Sequence, residues 1–292
     1  RRLLDAGRHA DALGGFQNHL DAYEDPSGRA EAQMGKGWCL LELKRPAEAA
    51  AAFEKAAEQM ADPGRRAEAE FKAADAWFAN GQYATAFDRY EAFGKAHPDS
   101  PLALRAAFLA AESLNRAGRT DEALVRFAAI ESRSPDTPLA PQAALQRVRI
   151  LESRGAWEEA LAGHEAILAR HPASAEAGAA RLGRGLIRYR RGEFDAALKD
   201  FDALAAGGSA GAVPEHAAFM RGWCLYLLGR DGDAVRVCRE FIARHPASAW
   251  APDVQFWLGE HAYNLGDFAT AETEFLRVAE AHAASPLADQ AL

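Results

Sequence analysis

A short motif returns along this chain at a fixed interval of 37 residues. A glycine opens each copy, an alanine follows five residues later, and a ring usually follows nine residues after the glycine. The glycine positions are Gly7, Lys44, Gly81, Gly118, Gly155, Gly192, Gly229 and Gly266. The alanine positions are Ala12, Ala49, Ala86, Ala123, Ala160, Ala197, Ala234 and Ala271. A constant period of this length is the signature of a repeat protein.

Each repeat is predicted to contain two helices. After the glycine, Ala123, Phe127 and Ile130 show the i, i+4, i+7 spacing of one helical face. We name this second helix of each repeat helix B, and it ends where a proline forbids continuation, at Pro98, Pro135, Pro172 and Pro246. Helix A of the next repeat is expected to begin directly after an N-cap, for which the candidates are Ser100, Thr137, Ser174 and Ser248.

Small residues recur at one position of helix A: Gly37, Ala74, Ala111, Gly185, Gly222 and Gly259. We expect them to face the alanine of helix B and to let the two helices cross closely. Because neither helix can bury its apolar face alone, each pair needs the next one. The sequence therefore predicts an all-α solenoid of stacked antiparallel helix pairs.

The whole chain, 1–292, is interpreted as a single array. A partial repeat covers 1–25 and another covers 285–292, and the whole repeats are 26–62, 63–99, 100–136, 137–173, 174–210, 211–247 and 248–284. Since both ends fall inside a repeat, we expect an internal segment of a longer protein. The glycine-rich join at 205–214 is the expected hinge.

Composition excludes several functions. A net charge of −8 argues against general nucleic-acid binding, which depends on neutralising phosphates. No apolar run approaches the roughly 18 residues of a membrane span, so we expect no transmembrane segment. The three cysteines are expected to be small buried residues. No metal-ligand spacing, phosphate loop or nucleophile motif is found, so no catalytic, cofactor-binding or metal residue is predicted.

Together, helix A, the glycine, the alanine, the rings and the terminal proline resemble the tetratricopeptide repeat (TPR), although a 37-residue period is longer than the standard one. The His-Pro-x-Ser joint at 97–100, 171–174 and 245–248 is similar to that of a TPR subgroup in bacterial cell-envelope proteins. The resemblance implies a right-handed superhelix whose concave face, lined by helix A, binds a protein or peptide without chemistry of its own. It favours the periplasm or cell envelope, with the cytoplasm as the alternative.

Two rows on helix A are candidate partner-binding sites. The first is an aromatic stripe suited to an extended or helical segment, made by Tyr189, Met220, Trp223, Tyr226, Trp257 and Tyr263. The second could hold an acidic peptide, a phosphate or a carboxylate polymer, and it contains Arg147, Arg184 and Arg221. Structural interpretations stand beside both: the rings could pack between repeats, and the arginines could pair with acids of adjacent helices.

The sequence thus predicts a non-enzymatic interaction scaffold in a bacterial cell-envelope assembly. Two alternatives remain open at this point. The array could be a substrate-recruiting or regulatory arm of a larger enzyme, or it could be a polysaccharide-export scaffold that uses the arginine row.

Overall fold

The computed structural model describes residues 7–22, 25–205, 212–282 and 284–291, so most of the predicted hinge at 205–214 lies outside the described residues. Within these ranges the chain forms α-helices and no strand. The helices are α1 (His9–Ala22), α2 (Pro26–Glu42), α3 (Pro46–Gln59), α4 (Pro63–Ala79), α5 (Tyr83–Ala96), α6 (Ala103–Arg116), α7 (Thr120–Arg133), α8 (Leu139–Ser153), α9 (Trp157–Arg170), α10 (Glu176–Arg190), α11 (Phe194–Ala205), α12 (Ala212–Leu227), α13 (Asp231–Arg244), α14 (Ala251–Asn264) and α15 (Phe268–Ala281).

Even-numbered helices are helix A of their repeats, and odd-numbered helices are helix B. The chain divides into two compact units, residues 1–154 and 155–292. Within each unit, every helix packs against the next helix along the chain. The predicted fold class, an all-α stack of helix pairs, is confirmed.

The glycine of each repeat ends helix A because the backbone there is left-handed. Seven glycines at this position have φ between 70° and 81°, and Lys44 adopts the same conformation with φ of 59°. The N–H of Gly81 donates to the carbonyl of Phe78 at 3.0 Å, and the N–H of Gln82 donates to that of Trp77 at 3.1 Å. This is the Schellman arrangement, which satisfies the last free carbonyls of a helix. Glycine adopts this conformation without a steric penalty.

The small residues of helix A accommodate the ring of helix B, so the expected contact with the alanine was wrong. A Cβ added to Gly37 would lie 2.6 Å from the Phe53 ring, and one added to Gly259 would lie 2.7 Å from the Phe275 ring. The ring is the larger neighbour, and it fills the groove that the missing side chain leaves. The repeated alanines are themselves buried, as Ala197 illustrates.

The predicted N-caps were also wrong. At the His-Pro joints, helix A begins one or two residues later than expected, because a short turn precedes it. The Ser100 and Ser248 hydroxyls each accept from the N–H two residues ahead, at 3.2 Å, and so close that turn. Side-chain caps occur instead at Asp25 and Asp62, which accept from the N–H groups of Gly28 and Arg65 at 2.7 and 2.8 Å.

All three thiols are buried, and this burial raises the pKa of Cys224 and of Cys238 to about 12. None of the helices that the structure describes is long and apolar enough to cross a bilayer.

Candidate partner-binding surface

The structure assigns different positions to the three predicted tyrosines. Tyr189 meets the ring of Phe194 edge to face, with centroids 5.5 Å apart, and Tyr263 meets Phe268 in the same way at 5.4 Å. In both pairs the first ring lies three residues before the glycine and the second lies two residues after it. These ring pairs therefore brace the turn between helix A and helix B. Burial raises the pKa of Tyr189.

Tyr226 has no such partner, because the residue two positions after its glycine is Asp231. Its ring lies against Trp257 at 5.3 Å and against Trp223 at 6.4 Å, both edge to face. The side chain of Tyr226 remains 43% exposed. Tyr226 is thus a surface ring supported from below by two tryptophans.

These residues belong to a larger aromatic cluster on α12 and α14, which also includes Trp250, the residue directly before α14. We define the cluster as His216, Phe219, Trp223, Tyr226, Trp250, Trp257 and His261. Trp250 stacks on both His216 and Phe219, at centroid distances of 4.8 and 5.2 Å. Trp257 contacts Trp223 at 5.8 Å and stacks on His261 at 5.2 Å. Burial lowers the pKa of His216.

The predicted stripe is therefore partly core and partly surface. Met220 and Trp257 are each only 7% exposed and belong to the main buried cluster of residues 155–292. Trp223 is half-buried, whereas Tyr226 and Tyr263 are exposed. Partner binding by these residues stays a prediction. Among the three tyrosines, Tyr226 is the one that does not pack on a ring at the turn of its own repeat.

The three predicted arginines each contact an acid on a neighbouring helix. Arg147 holds Glu131 with two hydrogen bonds, of 2.7 and 3.1 Å. Arg221 donates to Asp202 at 2.6 Å. These pairs match the structural interpretation of the arginine row, and its use for a ligand stays a prediction.

The third arginine, Arg184, belongs to a buried ion network that sequence reasoning missed. Asp200 on α11 accepts from Arg184 Nε at 3.0 Å and from Arg188 Nη1 at 3.0 Å. The second amino group of Arg188 reaches Glu165 at 2.8 Å. The signal in the sequence is an acid, Asp200, at a position of helix B that packs inward beside Phe201.

In the part of the chain that the structure describes, no group of three or more His, Cys, Asp or Glu side chains is arranged to hold a metal ion.

Comparison with known proteins agrees with this architecture. The family profile described as tetratricopeptide repeat matches residues 1–66, 164–212 and 182–249, and a second profile of the same description matches 68–100. A search of curated proteins found no match.

Solved structures share the fold. The C-terminal part of a TPR repeat-containing protein from Cytophaga hutchinsonii is 16% identical and has a TM-score of 0.64, over 86% of this chain and 96% of that one. A tetratricopeptide repeat protein from Parabacteroides merdae is 14% identical with a TM-score of 0.53, over 90% and 97%. The pilF protein of Pseudomonas aeruginosa is 16% identical with a TM-score of 0.54, over 80% and 99%. The chain belongs to the tetratricopeptide repeat family, whose fold generally serves as a non-enzymatic scaffold for protein–protein interactions.

Proposed function

We propose that this chain holds a partner protein or peptide on the concave surface lined by helix A, and that the aromatic cluster of α12 and α14 is the centre of contact. The observation that carries the proposal is the exposed Tyr226 ring resting on Trp223 and Trp257. Tyr226 lies on a helix A, α12, and its ring does not brace the turn of its own repeat.

Such a ring has the properties of an interface anchor. Aromatic residues are enriched at the energetic centres of interfaces, where a few of them supply most of the binding energy. A ring already held by its neighbours loses little conformational entropy when a partner arrives. Trp223 and Trp257 hold Tyr226 in this way, so the site is organised before binding.

The setting we propose is a bacterial cell-envelope assembly, in the periplasm or at the membrane surface. The recurrent His-Pro-x-Ser joint supports this setting. The unbroken period across residues 1–292 supports the further proposal that all the repeats act as one array.

A site-specific photo-crosslinker tests the binding surface. The crosslinking residue replaces Tyr226 in one variant and Leu276 in the other, expressed in the source organism. Leu276 is the matched control, because it is 44% exposed and lies on α15, a helix B. We expect a discrete crosslinked protein from position 226, absent from position 276 and lost when Trp223→Ala is added. Equal products from both positions, or none from 226, would contradict the proposal.

Cell fractionation tests the setting separately. The tagged full-length gene product should be recovered with the periplasmic or envelope fraction of the source bacterium. Recovery in the cytoplasmic fraction alone would refute the proposed location and leave the binding surface to the crosslinking result.

A further inference from the structure

Residues 1–154 contain a lysine held between a tryptophan and a carboxylate. The Nζ of Lys72 lies 5.2 Å from the ring centroid of Trp38 and 2.7 Å from Oδ2 of Asp75. The other oxygen of Asp75 accepts a hydrogen bond from the Tyr90 hydroxyl at 2.6 Å. The cation therefore has a ring and a carboxylate, and both oxygens of that carboxylate are engaged.

These residues occupy defined places in the repeat. Trp38 and Asp75 lie six residues before the glycine position of consecutive repeats. Lys72 lies nine residues before Gly81, and Tyr90 lies nine residues after it. The 37-residue period therefore defines the equivalent four positions in the other repeats.

The tryptophan and the carboxylate recur on α12 and α14. Trp223 occupies the place of Trp38, and Glu260 occupies the place of Asp75. The lysine is replaced by Trp257 and the tyrosine by Phe275, so the ammonium and the hydroxyl that satisfy Asp75 are both missing. Glu260 is exposed, and it makes no hydrogen bond or ion pair within the described ranges.

The charge on α12 and α14 themselves is predominantly acidic. The acids on α12 and α14 are Glu215, Asp253 and Glu260, and none forms an ion pair with a described residue. The cation on these helices, Arg221, is already bonded to Asp202. The faces of tryptophan and tyrosine rings also attract cations. Rings and carboxylates together make this surface complementary to positive charge.

Resting on the function proposed above, we infer that the aromatic cluster and Glu260 bind a lysine or arginine side chain of a basic partner segment. Trp257 stands at the repeat position that Lys72 has in the first unit, so α14 supplies no cation there, and we assign the cation to the partner. It lies beside the exposed ring of Tyr226, and Glu260 supplies the counter-charge one helical turn from Trp257. The partner chemistry is a peptide that combines a basic residue with apolar neighbours.

Random-peptide display against the purified chain tests this inference at near-physiological ionic strength, about 0.15 M. Parallel selections use wild type, Glu260→Gln and Glu272→Gln. Glu272 is exposed on α15 and forms no ion pair among the described residues, so its variant has the same net charge as Glu260→Gln. The matched pair separates a local contact from general attraction to an acidic protein.

We expect lysine or arginine to be enriched with wild type and Glu272→Gln, and not with Glu260→Gln. A selected peptide should bind Glu260→Gln roughly three- to fivefold more weakly, the size of one exposed ion pair, because the aromatic rings are unchanged in this variant. Its affinity for Glu272→Gln should stay within about twofold of wild type.

Equal enrichment with all three proteins, or no selected peptide at all, would overturn the inference. Tyr226→Ala separates it from the proposed function. If the selected peptides lack basic residues but lose binding to Tyr226→Ala, the interaction surface stands and the basic-segment inference fails. If they bind Tyr226→Ala unchanged, the proposed surface fails as well.

Discussion

Gly185 of α10 lies against the ring of Phe201 on α11, so closely that an added Cβ would be 2.6 Å from Cε1 of that ring. Phe201 is fully buried, so its ring is enclosed by neighbouring side chains. The contact shows why helix A needs a small residue at this position. It also makes the position a sensitive test of the packing.

Gly185→Ala should destabilise the protein by about 1–3 kcal/mol, because the new methyl group overpacks a buried ring. Gly178→Ala, in the same helix, is the control, since a Cβ there meets nothing within 4 Å. That substitution should stabilise α10 by roughly 0.5–1 kcal/mol through helix propensity. Thermal or urea unfolding measures both changes. Equal effects of the two substitutions would show that Phe201 does not pack as described.

Lys44→Gly should raise the free energy of unfolding by up to about 1 kcal/mol. Lys44 has a φ of 59°, a left-handed conformation that costs a non-glycine residue roughly 1–2 kcal/mol. The gain is partly offset because glycine makes the unfolded chain more flexible. Lys55→Gly, at an exposed position inside α3, is the matched control and should destabilise by about 1 kcal/mol. A loss of stability in both variants would contradict the left-handed turn at Lys44.

The repeat period and the fold class could be predicted from sequence, because both depend on patterns within one repeat. The glycine phase predicted the end of helix A, and the backbone confirms it even at Lys44. The N-caps were wrong because a short turn lies between each His-Pro joint and helix A. The alanine contact was wrong for a different reason. A small residue shows that something approaches closely, but its identity depends on a ring nine residues after the glycine, on the other helix.

The candidate site was predictable only in part. The three tyrosines look equivalent in sequence, yet Tyr189 and Tyr263 brace a turn because a phenylalanine follows the glycine, and Tyr226 does not. The network around Asp200 was missed because an acid occurs at this repeat position in only one other repeat, as the buried Glu274, and the arginine partners of Asp200 lie on another helix. Both features depend on contacts between helices, which one residue position cannot reveal.

Asp200→Ala should destabilise the protein by about 2–3 kcal/mol, because it leaves Arg184 and Arg188 without their shared buried carboxylate. Asp202→Ala is the control two residues away. The side chain of Asp202 is 48% exposed against 4% for Asp200, and among the described residues Asp202 bonds only Arg221. Its loss should cost no more than about 1 kcal/mol. Chemical unfolding of the two variants measures the difference, and equal costs would place Asp200 in solvent rather than in the core.

Tyr189→Ala and Tyr226→Ala should have opposite profiles. Tyr189 packs on the main buried cluster of residues 155–292 and on Phe194, so its truncation should lower the unfolding free energy by about 2 kcal/mol. Tyr226 is exposed, and its truncation should cost no more than about 1 kcal/mol, the order of a lost aromatic pair.

In partner binding the order of the two variants reverses. Tyr226→Ala should weaken capture of the crosslinked partner at least tenfold, as expected for an anchor worth more than about 1.4 kcal/mol. Tyr189→Ala, measured below its melting temperature, should retain binding within about threefold, since its ring braces the turn rather than the partner. A larger fall in melting temperature for Tyr226→Ala than for Tyr189→Ala would show that Tyr226 belongs to the core and would remove it from the proposed surface.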